Sequence, residues 1–262
     1  MIIAQISDTH IDIESPKGPA RIRDLEDCVA DINRLDPLPD VVVHTGDVVH
    51  NASPAEYREA ARILGALKSP LYVAAGNRDE RAALRAAFPA GDDLLPGTPF
   101  VQYSVESFPL RLIVVDTLSD AGNKGTFCTT RADNLCAALA DDVTRPTAVF
   151  MHHPPFEVQE SKYPFQFETR DALVALNQAL KGQTHVVRVF CGHTHRDTGG
   201  EIAGVPVSSM PSVAVDLRLG PYPEAVRATA LYKLHRFDGR DGFVSTTRPA
   251  RQRHLTPSAS AP

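Results

Sequence analysis

The sequence lacks features that would mark a membrane, secreted or thiol-dependent protein. It has only four cysteines in 262 residues, none at CxxC spacing, and no apolar run of the roughly eighteen residues needed to cross a bilayer. The N-terminus, MIIAQISDTH, lacks the basic stretch and apolar run of a secretory signal. We therefore expect a cytoplasmic protein with no membrane partner, in which the cysteines are reduced core residues. They are Cys28, Cys128, Cys136 and Cys191.

Two catalytic signatures are also absent. There is no GxSxG turn, which would indicate a serine nucleophile, and no phosphate-binding P-loop. The formal net charge of −5 gives the chain no overall attraction to nucleic acid, so no stable nucleic-acid partner is expected. An anionic substrate would need a local positive site.

Apolar runs alternate with amphipathic segments in the first part of the chain. Ile2–Ile6, Val41–Thr45 and Leu71–Ala75 are short apolar runs that predict strands covered on both faces. Apolar residues at helical spacing predict one helix over about 22–35 and another that begins at Ser53-Pro54. The order strand–helix–strand–helix–strand predicts an α/β fold.

The later part of the chain predicts a second sheet. Residues 100–107 and 111–116 resemble an antiparallel ribbon, and helices are expected at about 131–141 and 169–180. Further strands are expected over 147–151, 186–191, 201–202, 205–209, 212–215, 229–236 and 242–245. The residues thus predict two facing sheets with helices outside, the second sheet being largely antiparallel. One domain is expected over 1–247, followed by a mobile tail, 248–262, rich in Pro, Ser and Ala.

Five polar clusters each follow a predicted strand directly. They are DTH at 8–10, GD at 46–47, GNRD at 76–79, HH at 152–153 and GHTH at 192–195. Ligand sites in open α/β sheets gather beyond the carboxyl ends of the strands, so these clusters should meet. Carboxylate, imidazole and carboxamide groups together suit Mn, Fe, Zn or Co. The clusters therefore predict a metal site.

Local geometry is expected to help the clusters converge. In Asp8-x-His10 and His193-x-His195, an extended backbone would project both side chains of each pair the same way. Glycines at 46, 76 and 192 would let the backbone turn sharply and approach the ions closely.

In these motifs and their order, the sequence resembles the calcineurin-like metallophosphoesterase superfamily over roughly residues 1–200. PSVAV at 211–215 and YKLHRFDG at 232–239 are similar to the class III cyclic-nucleotide phosphodiesterases and the bacterial glycerophosphodiesterases. The resemblance implies an α/β fold, a four-layer α-β-β-α sandwich of two mixed sheets flanked by helices. It also implies two divalent metal ions. Asp8, His10 and His195 would hold one ion, Asn77, His152 and His193 the other, with Asp47 bridging both.

This resemblance implies a phosphodiesterase that hydrolyses small phosphodiesters, either cyclic nucleotides or glycerophosphodiesters, by attack of a metal-bound hydroxide. Two divalent ions against two aspartates leave a local charge of about +2, which suits an anionic substrate. The ions would be Mn, Fe, Zn or Co. A phosphomonoesterase, a nucleotide pyrophosphohydrolase and a non-catalytic metal-binding scaffold are the alternatives.

Three residues are candidates for catalysis: Asn77, Arg78 and His153. Arg78 stands where many family members have a histidine, and arginine stays charged, so we expect it to grip phosphoryl oxygens and not to donate a proton. A salt bridge to Asp79 is the alternative for Arg78, and a structural hydrogen bond is the alternative for His153. His44 is expected to be a satisfied core histidine. A homodimer or higher homo-oligomer is possible, with the 100–116 ribbon as one candidate edge.

Overall fold

Two mixed β-sheets flanked by helices form the protein. The computed structural model describes residues 1–88, 90–94, 97–239 and 242–251. The strands are β1 (Ile2–Ile6), β2 (Val41–His44), β3 (Leu71–Val73), β4 (Asp92–Asp93), β5 (Tyr103–Val105), β6 (Arg111–Val114), β7 (Thr147–Phe150), β8 (Val186–Cys191), β9 (Thr198–Ile202), β10 (Val205–Ser209), β11 (Leu231–Phe237) and β12 (Phe243–Pro249). The helices are α1 (Gly18–Ile32), α2 (Pro54–Leu64), α3 (Arg81–Ala87), α4 (Thr129–Asp141), α5 (Arg170–Leu180) and α6 (Glu224–Arg227), with a 3₁₀ turn at Val215–Leu217.

The first sheet has the strand order β12-β11-β1-β2-β3. Its centre is parallel, because β1 pairs with β2 and β2 with β3 in that sense, whereas β11 and β12 add antiparallel partners at one side. Helices α1 and α2 connect the parallel strands, as the alternating pattern predicted. Ser53 caps α2 as expected, with Pro54 in the first turn: its hydroxyl accepts from the amide of Glu56, and its own amide donates to the Glu56 carboxylate.

The second sheet has the order β4-β5-β6-β7-β8-β10-β9. The predicted ribbon is confirmed, since β5 and β6 are antiparallel. The expectation of a largely antiparallel sheet is wrong, because the central pairs β6–β7, β7–β8 and β8–β10 are parallel. Helices α4 and α5 carry the chain back across the sheet between β6, β7 and β8, and such crossovers produce parallel neighbours. Both sheets are therefore mixed.

Two apolar clusters fill the layers between the sheets and helices. One contains Ile3 of the first sheet together with Phe150 and Phe190 of the second, so it joins the two sheets. The other packs β7 and β8 against α4 and α5 through residues such as Leu135 and Leu176. Apolar surface removed from water in these layers is the main stabilising contribution to such a fold.

The strand predicted at 212–215 does not form. Its donors pair with the loop after β1: the amide of Val213 donates to the carbonyl oxygen of Ser7 at 3.0 Å, and the hydroxyl of Ser212 donates to the carbonyl oxygen of Asp8 at 2.8 Å. The chain then turns into the 3₁₀ segment at Val215–Leu217. This segment therefore belongs to the edge where the polar clusters meet.

Two of the four cysteines depart from expectation. Cys28 and Cys191 are buried as predicted, but Cys128 and Cys136 are exposed on or next to α4, and all four are free. In the part of the chain that the structure describes, no helix is both long and apolar enough to cross a membrane. The first part of the predicted tail is the end of β12, which runs to Pro249, and its residues 252–262 lie outside the described residues.

Candidate metal centre

The polar clusters lie on tight left-handed turns at the ends of the strands. Positive φ angles occur at Asp8 (54°), His10 (43°), Asp47 (54°), His193 (70°) and His195 (55°). The expectation of an extended backbone at DxH and HxH is therefore wrong: the side chains converge because the backbone turns. Left-handed geometry at non-glycine residues is strained by on the order of 1 kcal/mol or more each, and such strain gathers at functional sites.

Glycine is required where the turns touch. A Cβ atom on Gly76 would lie 2.1 Å from the backbone nitrogen of Asp47 and 2.3 Å from its Oδ1. A Cβ atom on Gly192 would lie 2.0 Å from the hydroxyl of Ser7. These glycines let neighbouring turns approach one another closely, and the expected approach of the backbone to ions stays a prediction.

One half of the centre, here called the His195 half, consists of Asp8, His10 and His195. The Nε2 atoms of His10 and His195 lie 3.3 Å apart, and the Nε2 atom of His195 lies 3.3 Å from Oδ1 of Asp8. Oδ2 of Asp47 lies 3.4 Å from Nε2 of His10. Four side chains thus present ligand atoms to one small volume.

The other half, here called the His152 half, consists of Asn77, His152 and His193. The carboxamide oxygen of Asn77 lies 3.1 Å from Nε2 of His152 and 2.9 Å from Nδ1 of His193. Oδ1 of Asp47 lies 3.5 Å from Nε2 of His152. Asp47 therefore directs one carboxylate oxygen to each half of the centre, and the structure brings all seven predicted ligands together.

Backbone carbonyl groups orient two of the imidazoles. Nδ1 of His152 lies 2.7 Å from the carbonyl oxygen of Thr45, and Nδ1 of His195 lies 3.0 Å from that of Leu217. A carbonyl oxygen only accepts, so each Nδ1 must donate its hydrogen. When Nε2 has lost its proton, the ring presents the lone pair of that nitrogen to the centre, and this is the form that binds a metal.

Burial and the aspartates determine the charges of the centre. Burial lowers the pKa of His10 to about 4 and that of His193 to about 3, so both are neutral at neutral pH. Burial also lowers the pKa of His152, but the Asp47 carboxylate outweighs it and raises that pKa to about 9. Burial raises the pKa of Asp8, yet the nearby His195 brings it down to about 2. The site thus contains two carboxylates among imidazoles, and this donor set fits Mn, Fe, Zn or Co.

His153 lies beside the centre, but both of its ring nitrogens have partners. Nε2 donates to the carbonyl oxygen of Asn123 at 3.2 Å, and Nδ1 lies 2.9 Å from the hydroxyl of Thr117. The ring packs 4.4 Å from that of His193, between centroids, which places His153 close enough to be grouped with the ligands. His153 does not present Nε2 to an ion, because a nitrogen that donates to a carbonyl oxygen has no lone pair available.

Arg78 and Asp79 occupy opposite sides of their turn. The amide of Arg78 donates to Oδ1 of Asp47 at 2.7 Å, while its side chain is exposed and forms no ion pair with a described carboxylate. The carboxylate of Asp79 is buried and accepts from the amides of Gly76 and Val48 at 2.9 and 3.2 Å. The salt bridge considered between Arg78 and Asp79 is therefore not formed.

Two further histidines surround the centre. His44 is buried as a satisfied core residue, as predicted: Nδ1 accepts from the amide of Gly46 and Nε2 contacts the hydroxyl of Thr9 at 3.0 Å. His50 was not predicted, yet its Nδ1 lies 3.3 Å from Nδ1 of His10. Its position three residues after Asp47 was the available signal, but no motif contains it.

Comparison with known proteins shows what this chain is similar to. The family described as calcineurin-like phosphoesterase matches residues 1–197. The glycerophosphodiester phosphodiesterase GpdQ of Enterobacter lignolyticus is 34% identical over 218 residues, which cover 81% of this chain and 77% of the relative. A cAMP/cGMP dual specificity phosphodiesterase of Mycobacterium tuberculosis is 29% identical over 215 residues, which cover 79% of this chain and 65% of the relative. A purple acid phosphatase from yellow lupin seeds, PPD1, shares the fold with a TM-score of 0.60 at 14% identity, over 94% of this chain and 53% of that one.

Proposed function

We propose a function for this chain from the premise that it belongs to the calcineurin-like phosphoesterase family, as the match over residues 1–197 shows. The chain is a metal-dependent phosphodiesterase. Its substrates are small phosphodiesters, either glycerophosphodiesters or cyclic nucleotides, and its centre holds two divalent cations. The names of the relatives from Enterobacter lignolyticus and Mycobacterium tuberculosis support both substrate classes.

The position of Asp47 is the observation that carries the proposal. Its two carboxylate oxygens face different ligand groups, at 3.4 Å from Nε2 of His10 and 3.5 Å from Nε2 of His152. A carboxylate in this position suits a bridge between two ions. Asp8, His10 and His195 would hold one ion, and Asn77, His152 and His193 the other.

A pair of divalent cations at such a site lowers the pKa of water and neutralises phosphoryl oxygens. The chain itself contributes orientation. The bonds from His152 to Thr45 and from His195 to Leu217 hold the two imidazoles with Nε2 inward. The exposed Arg78 extends from a turn anchored on Asp47, where its guanidinium can take two phosphoryl oxygens through parallel hydrogen bonds. Since both ring nitrogens of His153 are engaged, we assign it the role of positioning the ring of His193.

Charge favours an anionic substrate at this centre. Two divalent cations and the carboxylates of Asp8 and Asp47 together have a net charge of about +2. Bound ions dominate the local electric field even in an acidic chain. A phosphodiester monoanion would reduce that charge to about +1 and a monoester dianion would neutralise it, so charge favours an anion without selecting the class of ester. A monoester dianion is the competing substrate, so the choice between them depends on turnover measurements. A cytoplasmic location and a homodimeric or higher homo-oligomeric state remain predictions.

The test compares two aryl phosphates. The chelator-treated protein is reloaded with manganese and assayed with a bis-aryl and a mono-aryl phosphate, then with a glycerophosphodiester and a cyclic nucleotide. We expect faster turnover of the diesters, and loss of activity in Asp47→Asn. Asp133→Asn, a change at an exposed carboxylate on α4, is the control and should leave activity unchanged. Faster turnover of the monoester, or full activity of Asp47→Asn, would contradict the proposal.

A further inference from the structure

A buried arginine on α1 connects to the loop that orients His195. Arg21 forms a fork with Asp216: Nε donates to Oδ1 and Nη2 to Oδ2, both at 3.1 Å. Asp216 is the central residue of the 3₁₀ turn at Val215–Leu217. The next residue, Leu217, supplies the carbonyl oxygen that accepts from Nδ1 of His195. Arg21 is thus connected to a predicted metal ligand through the ion pair with Asp216, the peptide bond from Asp216 to Leu217 and one hydrogen bond to His195.

The same arginine also reaches a second predicted ligand of the same half. Nη1 of Arg21 lies 3.4 Å from the backbone carbonyl oxygen of His10, to which it donates. One turn further along α1, Asp24 accepts from the amide of Val215 at 2.9 Å, which fixes the other end of the 3₁₀ turn. We call Arg21, Asp216 and Leu217 the α1 clamp. It connects the backbone of His10 to the turn that orients the imidazole of His195.

His152 and Asn77 have contacts that do not pass through the α1 clamp, whereas His193 shares a turn with His195 and its amide donates to Asp8. His152 bonds to the carbonyl oxygen of Thr45 at the end of β2, and Asn77 contacts His152 and His193 directly. No hydrogen bond joins these described residues to Arg21 or Asp216. A disturbance of the clamp should therefore change the orientation of His195 and His10 more than that of His152 and Asn77, which keep their own partners.

We propose that Arg21 is a positioning residue that sets the affinity of one cation position, the one formed by Asp8, His10 and His195. This inference rests on the proposed two-cation centre. Groups that orient a metal-binding imidazole through its second nitrogen commonly change metal affinity by about 10- to 100-fold. Arginine suits this role because its planar fork fixes Asp216 in one geometry, which a flexible ammonium group would not do.

The test measures metal binding directly. Chelator-treated wild-type protein and Arg21→Met are titrated with manganese by calorimetry. Arg111→Met is the matched control, because Arg111 is buried to the same degree, with 4% of its side chain exposed against 6% for Arg21, and forms a similar pair with Glu106 away from the centre. We expect two equivalents to bind to wild type. In Arg21→Met, one equivalent should weaken by about 10- to 100-fold while the other is retained.

Both arginine variants should lose thermal stability, but only Arg21→Met should lose metal affinity. Asp216→Asn keeps the size of the side chain and serves if Arg21→Met does not fold; it should weaken the same equivalent. If Arg21→Met and Asp216→Asn bound both equivalents of manganese as tightly as wild type, the proposed role of the clamp would be wrong. It would also be wrong if Arg111→Met lost as much manganese affinity as Arg21→Met. If wild-type protein bound no manganese, the two-cation centre itself would fail and the clamp with it.

Discussion

Replacing Arg78 by alanine should slow hydrolysis of every phosphodiester by a similar factor. The amide of Arg78 bonds to the carboxylate of Asp47, so its Cα lies beside the residue that faces both halves of the centre. Its exposed guanidinium has no described carboxylate partner and is available to an anionic substrate. Loss of charge-assisted hydrogen bonds of this kind costs about 1.5–3 kcal/mol. The corresponding loss of kcat/KM is about 10- to 100-fold.

The assay uses a series of aryl and alkyl phosphodiesters whose leaving groups span a wide range of pKa. An arginine that only stabilises phosphoryl charge affects all members alike, because it does not give up a proton at any working pH. The dependence of log kcat/KM on leaving-group pKa should therefore have the same slope in wild type and Arg78→Ala. Arg78→His introduces a side chain that can donate a proton. Its loss of kcat/KM should therefore be smaller than that of Arg78→Ala for the poorest leaving groups.

Arg34→Ala is the matched control, since Arg34 is an exposed arginine near the end of α1 whose side chain has no described partner. It should leave kcat/KM unchanged throughout the series. An unchanged rate of Arg78→Ala with every ester would refute a catalytic role. A loss that grows steadily with leaving-group pKa would refute charge stabilisation and indicate proton donation instead.

Two further predictions concern packing and pH. Gly76→Ala should abolish metal binding measured by calorimetry, because its Cβ atom would lie 2.1 Å from the nitrogen of Asp47, whereas Gly122→Ala, with open space around it, should bind metal normally. Asp24→Asn should raise the free energy of unfolding, measured in urea, more at pH 7 than at pH 4. Burial raises the pKa of Asp24 from 3.8 to about 6, so the folded state binds this proton more tightly and loses stability as pH rises through 6, by up to about 3 kcal/mol. Asparagine does not titrate, so it removes this pH dependence of the free energy of unfolding. If Asp24→Asn changed the free energy of unfolding by the same amount at pH 7 and pH 4, the raised pKa of Asp24 would be contradicted.

The positions of the metal ligands could be predicted because each motif follows a strand in the sequence. Asp47 comes shortly after β2 of the first sheet and His193 shortly after β8 of the second, and parallel strands bring their carboxyl ends to one edge of each sheet. The local conformation was not predictable from the same pattern. Asp8 and His10 alternate as strand residues would, yet both adopt left-handed geometry because the loops after β1 and β2 exchange backbone hydrogen bonds.

The contacts that orient the ligands come from parts of the chain far away in sequence. The segment that contains Ser212 has the composition of a strand, but its donors pair with carbonyl groups of the loop after β1. Arg21 gives no signal among the charged residues of α1, since its partner Asp216 is nearly two hundred positions later. Only the tertiary structure shows such pairings, because they depend on how α1 packs against the 3₁₀ turn.

The most direct test of the central claim is the anomalous scattering of manganese in crystals of the reloaded protein. The proposed two-cation centre predicts two peaks about 3.5–4 Å apart, with one carboxylate oxygen of Asp47 on each. The first should also contact Asp8, His10 and His195, and the second Asn77, His152 and His193. A single peak, or two peaks that Asp47 does not bridge, would contradict it.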